Sequence, residues 1–277
     1  MGAEIMELYP EPGTERTLEG TYLSHDIRGR GTPEAPFVYA NFVSSIDGRI
    51  AAAEADTDEP YVLEGLANSH DWRLFQELQA QADCQVTHGG YLRALAEGKF
   101  GDILQVGISE EARDIGAWRH ERGLTEQPDV AIVSRRLDFP LPPSLEAHKQ
   151  QVHIITGEDA PQDRVRHWRE RGLDVHFAGT GRSVEGGAMT GVLGRRGYTR
   201  LYLLAGPEMM ETVLRDRALS RLYVTLTHQI IGGEAFHTLA SGPLLGDAGR
   251  LRLNTLYYDP QKPKGTGQWF SSFELGH

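Results

Sequence analysis

Val152-His153-Ile154-Ile155, then Asp163 through Arg171 closed by Gly172, then Leu173-Asp174-Val175-His176-Phe177: this stretch decides the fold class. An apolar run, a polar segment ending at a glycine, and a second apolar-rich run predict a strand over 152–155, a helix over 163–171 and a strand over 173–177. Strands joined through a helix argue a parallel pair. The alternation extends both ways. Upstream, Val130 to Val133 is a strand. Downstream come a weak helix from Met189 to Arg196 stopped at Gly197, a strand from Leu201 to Leu204, a helix from Glu208 to Asp216 and a strand from Leu222 to Thr227. The tail differs: Leu251 to Tyr258 and Gln268 to Leu275 flank a Pro/Gly/Lys loop and predict an antiparallel hairpin. The fold class is α/β, a mixed, mainly parallel sheet flanked by helices with a C-terminal antiparallel hairpin.

Toward the N-terminus, Phe37 to Ser44 is β-branched and aromatic and lies between Pro36 and Asp47-Gly48, which reads as a strand. Asn68 caps a helix with Asp71 three residues on, and Trp72, Phe75 and Leu78 then recur at helical spacing to about Ala82. Cys84-Gln85-Val86 leads into His88-Gly89-Gly90, and a helix over Glu110 to His120 ends near Gly123. Residues 1–35, rich in Gly, Pro, Glu and Thr, read as an extended arm before one domain over 36–277.

The 277 residues are 39% hydrophobic and 24% charged, enough apolar surface for a full core, with a net charge of −11. A diffuse acidic surface repels phosphate backbones, so no nucleic-acid partner is expected, while a local Arg cluster still suits a small anion. Cys84 is the only cysteine, which excludes an internal disulfide and a cysteine zinc site. The eleven histidines show no metal-ligand spacing, so no metal is expected. No apolar h-region opens the chain and no run approaches the roughly 20 residues that span a bilayer, so a cytoplasmic protein without a membrane partner is expected.

Several strand ends carry residues suited to a ligand. Ser44-Ser45-Ile46-Asp47-Gly48 is either an Asp-Gly turn or a loop facing the ligand crevice of an α/β sheet. Leu204-Ala205-Gly206-Pro207-Glu208-Met209 runs from a buried strand through small residues into a helix, a reasonable pyrophosphate cradle and also a common junction. His88-Gly89-Gly90-Tyr91 follows the same logic. Ser134-Arg135-Arg136 suits a phosphate monoester such as the 2′-phosphate of NADP, or is a solvated basic loop. Thr156-Gly157 lines the next strand end, and Glu185-Gly186-Gly187 reads as a turn. No G-x-G-x-x-G occurs, and Gly181-Arg182-Ser183-Val184-Glu185 lacks the last glycine of a hydrolase elbow.

Taken in order, these blocks resemble one family: the reductase domain of the bifunctional riboflavin-biosynthesis deaminase–reductase and the stand-alone pyrimidine reductases. The matching residues are Ser45-Ile46-Asp47-Gly48-Arg49-Ile50-Ala51, Ala82-Asp83 with Gly89-Gly90, Ser134, Ala205-Gly206-Pro207 and Ile230-Ile231-Gly232-Gly233; Leu8-Tyr9-Pro10-Glu11-Pro12 resembles the start of the stand-alone branch. The resemblance implies a dihydrofolate-reductase-like fold, NADPH as hydride donor, a homodimer and a ribosylaminopyrimidine phosphate as substrate. It implies that Val43, Ser44 and Ser45 border the nicotinamide, that Gly89, Gly90, Tyr91 and 205–209 approach the phosphates, and that Ser134 meets the adenosine end. The family's zinc deaminase half needs cysteines that this chain lacks.

The departures lie on the substrate side. Where the family carries a Glu before the small-small-Pro loop, this chain has Leu204; where it carries an Arg on the helix, Gln79; Tyr91 replaces a Thr and His228 a Pro. Asn41, Asp47 and Gln79 are the expected substrate contacts, and Asp47 and His228 the expected proton-handling groups. The expected activity is NADPH-dependent reduction of a small heterocycle other than, or altered from, the riboflavin intermediate. The alternative is a nucleotide-binding protein that keeps the cradle and has lost catalysis.

Overall fold

A computed structural model describes residues 3–53, 60–61, 66–204, 206–261 and 265–275. In chain order the strands are β1 (Glu4–Tyr9), β2 (Thr14–Thr17), β3 (Phe37–Ser45), β4 (Ala51–Ala53), β5 (Pro60–Tyr61), β6 (Cys84–His88), β7 (Asp129–Val133), β8 (Val152–Thr156), β9 (Asp174–Phe177), β10 (Arg200–Leu203), β11 (Arg221–Thr227), β12 (Phe236–His237), β13 (Leu251–Asp259) and β14 (Gln268–Leu275). The helices are α1 (Ser69–Gln79), α2 (Gly89–Ala96), α3 (Arg113–Glu121), α4 (Pro143–Ala147), α5 (Gln162–Glu170), α6 (Gly186–Arg195) and α7 (Pro207–Arg215). The chain forms two compact units: Met1–His25, Tyr39–Phe75 and Gly206–His277 make the first; Asp26–Val38 and Gln76–Ala205 make the second. Among the described residues no helix is long and apolar enough to cross a membrane.

In the second unit the strands run in the order β10-β6-β7-β8-β9, every neighbouring pair parallel. Val130, Ala131 and Ile132 are all buried. That is why this strand reads as an unbroken apolar run, since a parallel strand covered on both faces has no solvent side to make polar. Val165 and Trp168 of α5 face the same apolar cluster as Leu92, Ile132 and Ile154. The Trp168 indole N–H donates to the Leu137 carbonyl at 3.0 Å, which satisfies its one polar atom.

Parallel strands have no tight turn to set their register, and here a carboxylate does it. Asp83, just before β6, accepts from the Thr199 N–H at 2.9 Å, the Thr199 hydroxyl at 2.8 Å and the Arg200 N–H at 2.9 Å, with the Arg200 guanidinium at 3.3 Å. Its own N–H donates to Arg200 O, and its carbonyl accepts from Asp129 N. The starts of β10, β6 and β7 are thereby locked together. Buried Arg119 ties down the approach to β6 by donating to the carbonyls of Ala80 (2.7 Å), Ala82 (2.9 Å) and Thr125 (3.0 Å).

The first unit is mixed. Its order is β2-β1-β13-β14-β11-β3, antiparallel throughout except for the parallel β11–β3 pair. The expected C-terminal hairpin is present as β13–β14. Residues 1–35 hold more structure than their weak periodicity announces. The β1–β2 hairpin pairs with β13, Ile5, Leu18 and Tyr22 are buried, and buried Glu7 is paired with Arg16. His25 bridges the hydroxyls of Tyr223 and Tyr257, each at 3.1 Å. The expected arm is thus, up to His25, a set of paired strands and packed side chains.

A second difference concerns Glu185-Gly186-Gly187. Read as a turn, it opens α6, three residues before the expected helix start. A helix this glycine-rich persists for packing reasons: a Cβ on Gly194 would stand 2.0 Å from the Pro33 carbonyl oxygen, so only glycine lets the two backbones approach.

Replacing Asp83 with Ala leaves the Thr199 and Arg200 N–H groups without their acceptor. The expected loss is about 2 kcal/mol of stability, read as a lower urea midpoint with the folded circular-dichroism spectrum retained.

Candidate functional site

In the second unit the carboxyl ends of β10, β6, β7 and β8 deliver Leu204, His88, Ser134 and Thr156-Gly157 along one edge, the place where α/β sheets collect ligands. His88 is the N-cap of α2, and its Nδ1 accepts from the Tyr91 N–H at 3.4 Å. Gly89 is obligatory, because a Cβ there would lie 2.9 Å from the Phe139 ring and 3.0 Å from Ser134 Oγ. A Cβ on Gly90 would lie 2.9 Å from the His88 ring. Ser134 Oγ accepts from the Leu137 N–H at 3.0 Å and so shapes the loop that exposes Arg135 and Arg136.

Four expected ligand contacts on this unit have other work in the fold. The Tyr91 hydroxyl donates to Gly101 O and accepts from Ile103 N, each at 2.9 Å, and burial pushes its pKa up to about 12. Gln79 is fully buried; its amide N–H groups donate to Gln85 Oε1 (2.8 Å) and Ile103 O (2.7 Å), so it tethers the interior. Gly157 is a glycine because neighbouring backbone covers it: a Cβ would be 2.4 Å from Gly181 O. Leu204 packs against the apolar cluster around Leu92 and Ile132. Beside them, the buried hydroxyl of Thr156 has no hydrogen-bond partner among the described residues.

In the first unit, Gly206 precedes α7 with extended backbone, and Pro207 takes the first helical position, where its missing N–H costs nothing. The N-cap residue is glycine and so brings no capping side chain of its own, and among the described residues a Cβ on Gly206 would meet nothing within 4 Å. The start of α7, with Glu208 and Met209 in its first turn, is therefore an open, glycine-lined helix N-terminus. Ala205 lies outside the described residues.

At the end of β3, Ser45 donates to Asp47 Oδ1 at 2.6 Å, and Ser44 donates to the Ser45 carbonyl at 3.0 Å. Asp47 also accepts from the N–H groups of Ile231 (3.2 Å) and Gly232 (3.0 Å) and pairs with Arg49 at 3.1 Å. The Ser45 hydroxyl, followed by these backbone donors, holds its pKa far below the ordinary carboxylate value. A carboxylate held ionised is a poor proton source. Asp47 clamps the 231–232 loop to the end of β3. His228 stacks edge-on to Trp269, with ring centroids 4.7 Å apart, and its Nε2 is buried with no partner among the described residues.

The group that sequence reasoning passed over is Asp71. It reads there as the acid of a capping pattern, and the cap is present: Asn68 Oδ1 accepts from the N–H groups of His70 (3.0 Å) and Asp71 (3.2 Å). The Asp71 carboxyl, however, is buried. Burial raises its pKa to about 6, against a hydrogen bond from Thr225 that lowers it, and Oδ1 has no partner among the described residues. Thr225 is opposite Val43 in the parallel β11–β3 register, with Asn41 two residues back along the same, half-buried face. Only its burial distinguishes this acid from any other first-turn Asp, and sequence spacing does not report burial.

The model of the RibD C-terminal domain family matches residues 36–261. Among solved structures, the chain is similar to a pyrimidine reductase-like protein from Corynebacterium diphtheriae, at 20% identity over 87% of this chain and 92% of that one, with a TM-score of 0.62. It is similar to the riboflavin biosynthesis reductase Rib7 of Saccharomyces cerevisiae, at 13% identity over 93% and 99%, TM-score 0.59. It is also similar to RibD of Acinetobacter baumannii, at 13% identity over 88% of this chain, TM-score 0.57; there it spans only 59% of the longer protein. No curated protein sequence matches the chain. These likenesses agree, at the level of fold, with the expected mixed, mainly parallel sheet flanked by helices and closed by a C-terminal hairpin.

For a carboxyl whose folded pKa is raised, the folded state binds the proton more tightly than the unfolded chain, so stability falls as pH rises from about 4 to about 6. Asp71→Asn removes that slope. The variant is expected to be more stable than the parent above pH 6, by on the order of 3 kcal/mol, and indistinguishable from it near pH 4, as read by thermal midpoints across that range.

Proposed function

The chain belongs to the RibD C-terminal domain family, and on that footing we propose that it is an NADPH-dependent reductase of a small, pyrimidine-like heterocycle. The observation that carries the reading is the family match over residues 36–261, joined to strand-end residues suited to a dinucleotide. The residues fit the cofactor on two counts. The α7 N-terminus has a glycine N-cap with open space beside it among the described residues, so its first-turn N–H groups suit a pyrophosphate. Exposed Arg135 and Arg136 beside Ser134 suit a 2′-phosphate, which guanidinium groups bind through paired hydrogen bonds.

Bound NADPH supplies a hydride, and reduction also consumes a proton. Asp71 is the group in the first unit poised to hold one near neutrality, at a carboxyl oxygen that no described residue occupies. Val43 and Asn41 offer the adjoining half-buried surface of β3 for a planar ring, and the buried Nε2 of His228, with no partner among the described residues, is a second candidate to meet the substrate. Asp47 keeps the 231–232 loop in place without exchanging its proton. The homodimer and the cytoplasmic setting belong to the same reading. A second reading, a nucleotide-binding protein without turnover, is favoured by Leu204 and Gln79: one packs into the apolar cluster and the other is buried, so neither offers a substrate the charge that the family pattern implies.

Calorimetric titration with NADPH and NADH tests the assignment. NADPH is expected to bind tighter, and Arg135→Ala with Arg136→Ala is expected to weaken it about tenfold or more while leaving NADH nearly unchanged. Failure of both nucleotides to bind would sink the cofactor assignment. With a reducible pyrimidine found by screening, turnover is expected to fall as pH rises through about 6, as Asp71 loses its proton. Asp71→Asn is expected to lower kcat by about a hundredfold or more and to flatten that limb. NADPH binding without oxidation of cofactor across the panel would favour the second reading.

A further inference from the structure

The second unit carries a cluster outside all of these loops. β8 and β9 pair in parallel with His153 opposite Asp174 and Ile155 opposite His176. Facing partners share one side of a sheet, and so do residues two apart, so His153, Asp174 and His176 all project from the same face. One ligand atom from each lies within 4.8 Å of those of the others. His153 Nδ1 and His176 Nε2 are 3.4 Å apart. Two imidazole nitrogens on one tetrahedral zinc, each at about 2.0–2.1 Å, stand roughly 3.3–3.4 Å from one another.

The hydrogen bonds around His153 orient it for this. Tyr198 OH donates to Asp129 Oδ2 at 2.8 Å, and His153 Nε2 lies 2.8 Å from the same hydroxyl. The phenol has one proton, and the carboxylate takes it. His153 Nε2 must then be the N–H that donates to the phenol oxygen, which leaves Nδ1 as a lone pair aimed at His176. An imidazole whose far nitrogen is anchored, through a phenol, on a carboxylate is the arrangement that fixes metal-binding histidines. His153 is buried, His176 is half-buried and Asp174 is exposed on β9, the last strand of this unit's order, so an ion has a route in and a solvent molecule a route to a fourth position. Arg196 contacts Asp174 Oδ2 at 3.2 Å, and the carboxylate has a second oxygen to offer.

We propose that His153 Nδ1, His176 Nε2 and a carboxylate oxygen of Asp174 bind one divalent transition-metal ion of the zinc type, pinning β9 to β8. The ligands are separated in sequence by the whole of α5, so no short motif announces them; strand register assembles them. The site is independent of the reductase reading, and neither stands or falls with the other.

The test uses the full chain, untagged and stripped of metal by chelator and dialysis. Zn²⁺ is titrated by calorimetry, and Co²⁺ by the visible absorption of tetrahedral cobalt. One equivalent is expected, with the cobalt spectrum of a four-coordinate nitrogen/oxygen site. His176→Ala and Asp174→Asn, both at accessible positions, are each expected to weaken Zn²⁺ at least tenfold. Tyr198→Phe, which removes only the orienting hydroxyl, is expected to weaken it by about 10–100-fold. Absence of a stoichiometric Zn²⁺ equivalent, or an equivalent that either His176→Ala or Asp174→Asn leaves unchanged, overturns the proposal. Circular dichroism on each variant separates loss of a ligand from loss of the fold.

Discussion

The register of the second unit's parallel strands depends on one carboxylate. Each side-chain position in a parallel pair is set by where the neighbouring strands begin, and Asp83 fixes that beginning for β10, β6 and β7 with three hydrogen bonds and an ion pair. A slip of one residue would turn every side chain to the opposite face. Leu204, His88 and Ser134 therefore emerge together at one edge because Asp83 holds the other. The same register logic, one strand further on, places His153 with Asp174 and His176.

Two carboxylates of the first unit show how surroundings divide labour between identical groups. Asp47 sits among donors, from the Ser45 hydroxyl to the Gly232 N–H, and is driven to its charged form. Among the described residues Asp71 has one hydroxyl partner, that of Thr225, and it is shut away from water, which favours its neutral form. The first suits fixing a loop and the second suits holding a proton. Both are bare aspartates in sequence, and the one beside the obvious turn attracts attention first.

The parts of the fold legible in the sequence are those where burial is simple. β7, β8 and β11 are covered strands with uninterrupted or nearly uninterrupted apolar runs, and β13–β14 is a hairpin around a breaker-rich loop. β1 escaped because its buried face alternates Ile5 with Glu7, a charge that only its pairing with Arg16 makes tolerable inside. The start of α6 escaped because glycines mean a turn until the approach of Pro33 gives them another reason. At the candidate site, the strand-end positions were legible, while the orientation of each side chain was not. Tyr91 and Gln79 turn inward through hydrogen bonds to residues 101–103, and spacing carries no record of such partners.

The interleaving of the two units also bears on how the chain is made. Most of the second unit is one continuous stretch, Gln76–Ala205, so its strands are all available before β11, β13 and β14 have been translated. The β1–β2 hairpin emerges early, yet the strand that covers its open edge is β13, beyond the entire second unit. A β1–β2 hairpin formed before β13 exists would leave one edge of backbone groups unpaired, the condition that recruits foreign strands. The charged residues on it, Glu4, Glu7, Glu15 and Arg16, then serve a nascent chain as much as a finished one: they keep an unclaimed edge from finding the wrong neighbour.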